Sequence, residues 1–223
     1  MLKGVIFDLD GVIVDTAKYH FLAWARLANE LGFEFTESDN ERLKGVSRMQ
    51  SLEYVLDTGG LIVPEWEKEG LAYKKNEWYV EYIKQLREDE ILPGVKDFLL
   101  ELRANGILIS LGSASKNSPL ILERLKLADL FDVVVDGRDT SRGKPDPQVF
   151  QIGARKLGLA CDECIVFEDA DAGIEAAHAA GMKAVGIGTA DNLPDADYLA
   201  SDLSEMNFEI LKKIFENTSE RRS

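Results

Sequence analysis

Apolar residues recur along the chain in two rhythms. Short runs stand at Leu2 to Phe7, Ile107 to Leu111, Asp132 to Val135, Cys164 to Phe167 and Ala184 to Ile187. Runs of this length, bounded by turn-forming residues, read as buried strands. Between and after the later runs the apolar positions return every three or four residues. That spacing predicts helices over Val95 to Ala104, Pro119 to Leu125, Pro147 to Leu157, Ala172 to Ala180 and Phe208 to Phe215, with Gly106, Gly158 and Gly181 as stops. Strands alternating with helices build βαβ units, so the expected fold is α/β, a doubly wound parallel sheet with a Rossmann-like core.

The stretch from Thr16 to about Arg87 follows only the helical rhythm, with Phe21, Trp24, Leu27, Ala28 and Leu31 on one face and a second long pattern from Glu65 to Leu86. It reads as an inserted helical cap, residues 16–87, within a core made of residues 1–15 and 88–223. Trp24, Trp66 and Trp78 are expected in the core of that bundle. In "LREDEILPG" a charged segment precedes Pro93-Gly94, which suits a hinge back into the sheet.

A chain of 223 residues, 45% of them hydrophobic, can bury a substantial core. Its formal net charge of −14, from 26 basic and 40 acidic side chains, argues against nucleic acid or anionic lipid as a general partner, while a local basic pocket can still hold a small anion. No secretory h-region and no long apolar span stand out, so the expectation is a cytoplasmic protein away from membranes, and a monomer. Cys161 and Cys164 form a lone C-x-x-C pair, and the only histidines, His20 and His178, are far apart, so zinc lacks its usual ligand set.

Candidate chemistry gathers where strands end. Asp8 and Asp10 follow the first strand; with period-two geometry their carboxylates converge while Leu9 turns away. Asp10-Gly11 could simply make a turn, but like charges at a strand end are tolerable when a cation or a shared proton offsets them. After the second strand, Ser113, Ala114, Ser115, Lys116 and Asn117 precede a helix, an arrangement that serves either as an ordinary cap or as a phosphate cradle. Lys144 sits in "GKPDP", and Glu168 and Asp169 end a later strand with hard oxygen donors suited to Mg²⁺, though acidic residues also favour helix starts. In a parallel sheet all these ends open into one crevice, and their convergence favours a ligand site over separate local explanations.

Through "DLDGVIVDT", "GSAS", "GKP" and "FEDADAG", in this order, the chain resembles the haloacid dehalogenase-like superfamily of phosphotransferases along nearly its whole length. The resemblance implies a helical cap inserted after the first aspartate motif, Asp8 as the nucleophile that becomes phosphorylated and Asp10 as general acid and base. It further implies Mg²⁺ held by Asp8, the backbone carbonyl of Asp10 and Asp169 with Glu168 as helper, and Ser113 and Lys144 as holders of phosphate. "LKGVSR", Leu43 to Arg48, with Thr16, His20, Trp24, Lys75-Asn76 and "SASKN", is similar to the sugar-phosphate mutases of the superfamily, which interconvert β-glucose 1-phosphate and glucose 6-phosphate through a bisphosphate. That similarity puts Lys44, Gly45, Arg48, Lys75, Ser115, Lys116 and Asn117 around the substrate, with Arg48 on the phosphate that is not transferred and His20 orienting Asp10. Ala170 departs from the usual serine after the acidic pair. The alternatives are a sugar-phosphate phosphatase on the same scaffold and a non-catalytic switch phosphorylated on aspartate; the switch leaves the cap and Asp10 unexplained.

Overall fold

The computed structural model describes residues 1–43 and 46–217. A six-stranded parallel sheet runs in the order β3-β2-β1-β4-β5-β6. Its strands are β1 (Gly4–Phe7), β2 (Leu108–Gly112), β3 (Val133–Val135), β4 (Cys164–Glu168), β5 (Lys183–Ile187) and β6 (Tyr198–Ala200). Helices α5 (Val95–Ala104), α6 (Ser118–Arg124), α7 (Gln148–Leu157), α8 (Asp171–Ala179) and α9 (Phe208–Glu216) follow in the core. Alternate residues along each strand serve opposite faces. Phe7, Leu111 and Phe167 join Phe98 of α5 in one apolar cluster, while Ile6 and Val166 join Phe150 of α7 and Ile174 of α8 in the other. Burial on both faces is why these strands read as continuous apolar runs rather than alternating ones.

Among the described residues between β1 and α5 stand four helices, α1 (Ala17–Glu30), α2 (Glu37–Glu41), α3 (Arg48–Thr58) and α4 (Glu65–Ile83). The seam of α4 is Ala72, Lys75, Tyr79 and Ile83, which packs on Ala23, Trp24, Leu27 and Ala28 of α1. Continued backwards, that three- to four-residue series reaches position 68 and misses Trp66. Trp66 is therefore 77% exposed rather than in the bundle core, whereas Trp24 and Trp78 are buried as expected.

Two backbone crossings join the helices to the sheet, and they are tied together. Val14 pairs with Ile91 in an antiparallel bridge, and Leu92 donates its N–H to Ile13 O at 3.0 Å. The Glu90 carboxylate accepts from Lys18 Nζ at 2.5 Å, Tyr19 OH at 2.6 Å and the Arg87 N–H at 3.1 Å. One acidic side chain thus braces the first crossing against the second. The sequence pattern did not reveal β6, whose three residues form an edge of the sheet, nor α2, whose polar five residues have no apolar stripe.

Candidate active site

The site begins where the sheet stops. Asp8 extends β1 by one rung, its N–H bonded to Phe167 O at 2.9 Å, so the backbone that carries its carboxylate is fixed by β4. The chain then turns at Gly11, whose φ of 76° suits glycine; a Cβ there would lie 2.0 Å from Asp169 Oδ2. That bare glycine allows the Asp10 loop to pass against Asp169. Glu168, the last residue of β4, accepts the N–H groups of Asp169 at 3.0 Å and Ala170 at 3.2 Å. It thereby serves the start of α8, where Ala170 has no side-chain oxygen to do so. Gly173 leaves room for the Glu168 carboxyl group, which a Cβ would meet at 1.9 Å.

Lys144 points into the same place from the loop before α7. Its ammonium lies 2.5 Å from Asp8 Oδ1 and is ion-paired with Glu168, with only 5% of the side chain exposed. Burial alone would lower the pKa of that ammonium, but Asp8 and Glu168 outweigh it and hold the group above its ordinary value. The carboxyl groups experience the converse. Burial, opposed by Lys144, pushes Glu168 up to about 7; burial and then the charges of Asp8 and Glu168 push Asp169 up to about 8. Carboxylate oxygens of Asp8, Glu168 and Asp169 all lie within 4.8 Å of one another. Three acids around one ammonium leave an excess of negative charge in a donor set of hard oxygens, which fits a divalent cation such as Mg²⁺.

Asp10 stands apart from that trio. Its Oδ1 accepts a hydrogen bond from Thr16 Oγ1, and Thr16 in turn accepts from Tyr79 OH at 3.2 Å. Burial, and after it the charge of Asp8, raises the Asp10 carboxyl to about 7 against the pull of Thr16. Protonated and ionised forms of Asp10 are therefore both accessible near neutral pH, as proton transfer in two directions requires.

Above these groups the helical segment supplies cations. Lys75 is 2% exposed, lies 4.3 Å above the Trp24 ring and donates to His20 Nδ1 at 2.9 Å. The His20 ring is 4.1 Å from that of Tyr79. Burial and then repulsion from Arg48 push Lys75 well below its usual pKa, and burial, Lys75 and Arg48 do the same to His20. A neutral His20 is the partner a lysine donor needs. Arg48 opens α3 and is itself held below its ordinary value by burial.

On the core side Ser113 is buried and accepts the Ser115 N–H at 3.1 Å, and Ser115 accepts the Asn117 N–H at 3.3 Å. Ala114 and Lys116 face the opening, packed closely because Gly137 has no Cβ to strike Ala114 O. One crevice of about 690 Å³ unites Asp8, Asp10, Thr16, His20, Trp24, Arg48, Lys75, the Ser113 to Asn117 loop, Lys144, Glu168 and Asp169. Lys44 and Gly45 lie outside the described residues. Tyr79, which supports Thr16, is absent from the residues that the sequence singles out, while Asn76, which carries the resemblance together with Lys75, bonds Asn117 across the crevice. Tyr79 follows Lys75 by four residues, so the helical period held a signal for it.

This crevice, at the carboxyl ends of a parallel sheet under a helical cap, defines a phosphoryl-transfer class of site. The family model described as haloacid dehalogenase-like hydrolase matches residues 5–187, and the chain belongs to that family. Among relatives, the β-phosphoglucomutase of Bacillus subtilis is 42% identical over 224 residues, covering 100% of this chain and 99% of that protein. A phosphorylated carbohydrates phosphatase of Thermotoga maritima is 30% identical over 82% of this chain and 84% of its own length. The crystal structure of β-phosphoglucomutase from Clostridium difficile superposes with a TM-score of 0.92 at 39% identity, covering 96% of this chain and 97% of that one.

Proposed function

We propose that this protein is a Mg²⁺-dependent sugar phosphomutase that interconverts β-glucose 1-phosphate and glucose 6-phosphate through a phosphorylated Asp8 and an enzyme-held bisphosphate. The observation that carries the reading is the pairing of an acidic core wall with cap cations, Arg48 and Lys75, that among the described residues have no carboxylate in a salt bridge. A mutase needs one phosphate at the nucleophile and a second held at a distance. Full-length likeness to the Bacillus subtilis β-phosphoglucomutase supports the same assignment.

In this mechanism an Asp8 carboxylate oxygen attacks the phosphorus of a bisphosphate or other donor, forming the Asp8 O–P bond as the bond to the sugar oxygen breaks. Asp10 delivers its proton to that departing oxygen. The free 6-hydroxyl of an incoming β-glucose 1-phosphate then gives its proton to Asp10 and takes the phosphoryl group from Asp8, which re-forms the bisphosphate and returns both carboxyl groups to their starting states. Lys144 and Ser113 hold the transferring phosphoryl oxygens, while Arg48, Lys116 and Asn117 hold the phosphate at the far end. Thr16 keeps Asp10 aimed, and His20 and Trp24 support Lys75. Asp8, Asp169, the Asp10 carbonyl and Glu168 would hold Mg²⁺, which supplies electrostatic relief to the anionic groups that must meet. We assign residues 16–87 as the moving cap, closing over the core to exclude water from the phosphorylated Asp8.

The phosphatase reading has one specific support, the Thermotoga maritima relative. ³¹P NMR separates the two. With Mg²⁺, β-glucose 1-phosphate and a trace of the bisphosphate, the mutase reading expects glucose 6-phosphate to accumulate ahead of inorganic phosphate; inorganic phosphate in step with substrate loss, without the isomer, would refute it.

A further inference from the structure

Among the described residues asparagine opens two helices, and its side chain is used differently in each. Asn207, before α9, accepts the Ile210 N–H at 2.9 Å with its own Oδ1, the usual role of asparagine at a helix start. Asn117, before α6, makes no such cap. Its Nδ2 instead donates to Asn76 Oδ1 on α4, 3.0 Å away. The Asn117 backbone is held independently, by the Ser115 hydroxyl. A polar side chain has thus been turned from its own helix toward the cap, at the place where α4 and α6 pack.

The geometry has a chemical consequence. An amide nitrogen carries two N–H bonds. Asn76 accepts one of them and so sets the plane of the Asn117 amide, and both residues line the crevice. We propose that Asn76 is a positioning residue: its carbonyl orients the Asn117 amide so that the remaining N–H meets the sugar-linked phosphate, and the same bond ties cap to core while phosphate is transferred. The inference deepens the mutase reading and rests on it. Asn76 then acts on the reaction through Asn117, both in the hold on the sugar phosphate and in keeping water from the phosphorylated Asp8.

Four proteins test this: the wild type, Asn76→Ala, Asn117→Ala and the double variant, each checked for fold by circular dichroism. Assays follow isomerisation of β-glucose 1-phosphate, release of inorganic phosphate, and phosphorylation of Asp8 by acetyl phosphate. Asn76→Ala should raise the KM for β-glucose 1-phosphate about five- to tenfold with a smaller change in kcat, as loss of an oriented hydrogen bond to a charged group implies. It should also raise the phosphate released per isomerisation and leave the rate at which acetyl phosphate phosphorylates Asp8 unchanged. In the Asn117→Ala background the Asn76 replacement should add nothing. An unchanged KM and release ratio, additive effects in the double variant, or an equal loss with acetyl phosphate would overturn the proposal. Should the wild type hydrolyse β-glucose 1-phosphate without isomerising it, the mutase reading fails, and Asn76 is judged on the KM for hydrolysis: a rise supports its positioning role and an unchanged value overturns it.

Discussion

On the core wall of the crevice the carboxyl groups of Asp8, Glu168 and Asp169 surround the single ammonium of Lys144; on the cap wall Arg48 and Lys75 repel one another. Each wall carries the charge that the other lacks, yet the two do not neutralise one another by direct salt bridges between these groups. A ligand that bridges them has to present an anion to the cap. To reach the core it has to bring that wall additional positive charge. A sugar phosphate together with a divalent cation meets both demands, and the contrast explains why neither wall could serve alone.

The largest expected effects lie on the core wall. Asp8→Asn should abolish phosphoenzyme formation, because an amide is not a competent nucleophile; labelled phosphate recovered on that variant would remove Asp8 from its role. Asp10→Asn should slow turnover by roughly 10²–10⁴-fold while leaving the cap cations in place, since a proton donor is lost rather than a binding group. Single-turnover kinetics would check it, and a loss confined to KM would speak against the assignment.

A further prediction concerns stability of the core wall without metal. Asp169 and Glu168 have folded-state pKa values raised above their ordinary ones, to about 8 and about 7, both chiefly by burial. When a carboxyl group's folded value exceeds its unfolded one, the folded chain binds more protons between the two, so stability is full below the unfolded value and falls as pH rises toward the folded one. The protein in EDTA should therefore lose Tm progressively from about pH 4 to about pH 8 through these groups, and Mg²⁺ should restore most at the upper end. A Tm that responds to Mg²⁺ equally at both ends would separate the cation from these acids.

How far the two walls were legible in the sequence follows from how each is built. Asp8, Lys144 and Glu168 sit at or near the ends of strands, and the parallel sheet converts positions far apart in sequence into neighbours by a rule that holds for the whole fold. The α/β class and the inserted helices were accessible for the same reason. Contacts within the cap and between cap and core obey no such rule. The Asn76–Asn117 bond, the support of Thr16 by Tyr79 and the bracing of the crossings by Glu90 depend on the relative placement of helices joined by loops, which local periodicity does not specify. Trp66 failed on a related point: aromatic character suggested burial, while its phase on α4 put it in solvent.

The claim that the cap wall holds the phosphate that is not reacting rests most directly on Arg48. On one preparation of Arg48→Ala, with the fold checked by circular dichroism, isomerisation of bisphosphate-primed β-glucose 1-phosphate would be compared with phosphorylation of Asp8 by acetyl phosphate, a donor with no second phosphate to hold. Loss of a half-buried guanidinium's contact to phosphate should reduce isomerisation by about 10-fold or more relative to the acetyl phosphate reaction. Equal losses in the two reactions would contradict the account and return Arg48 to a structural role.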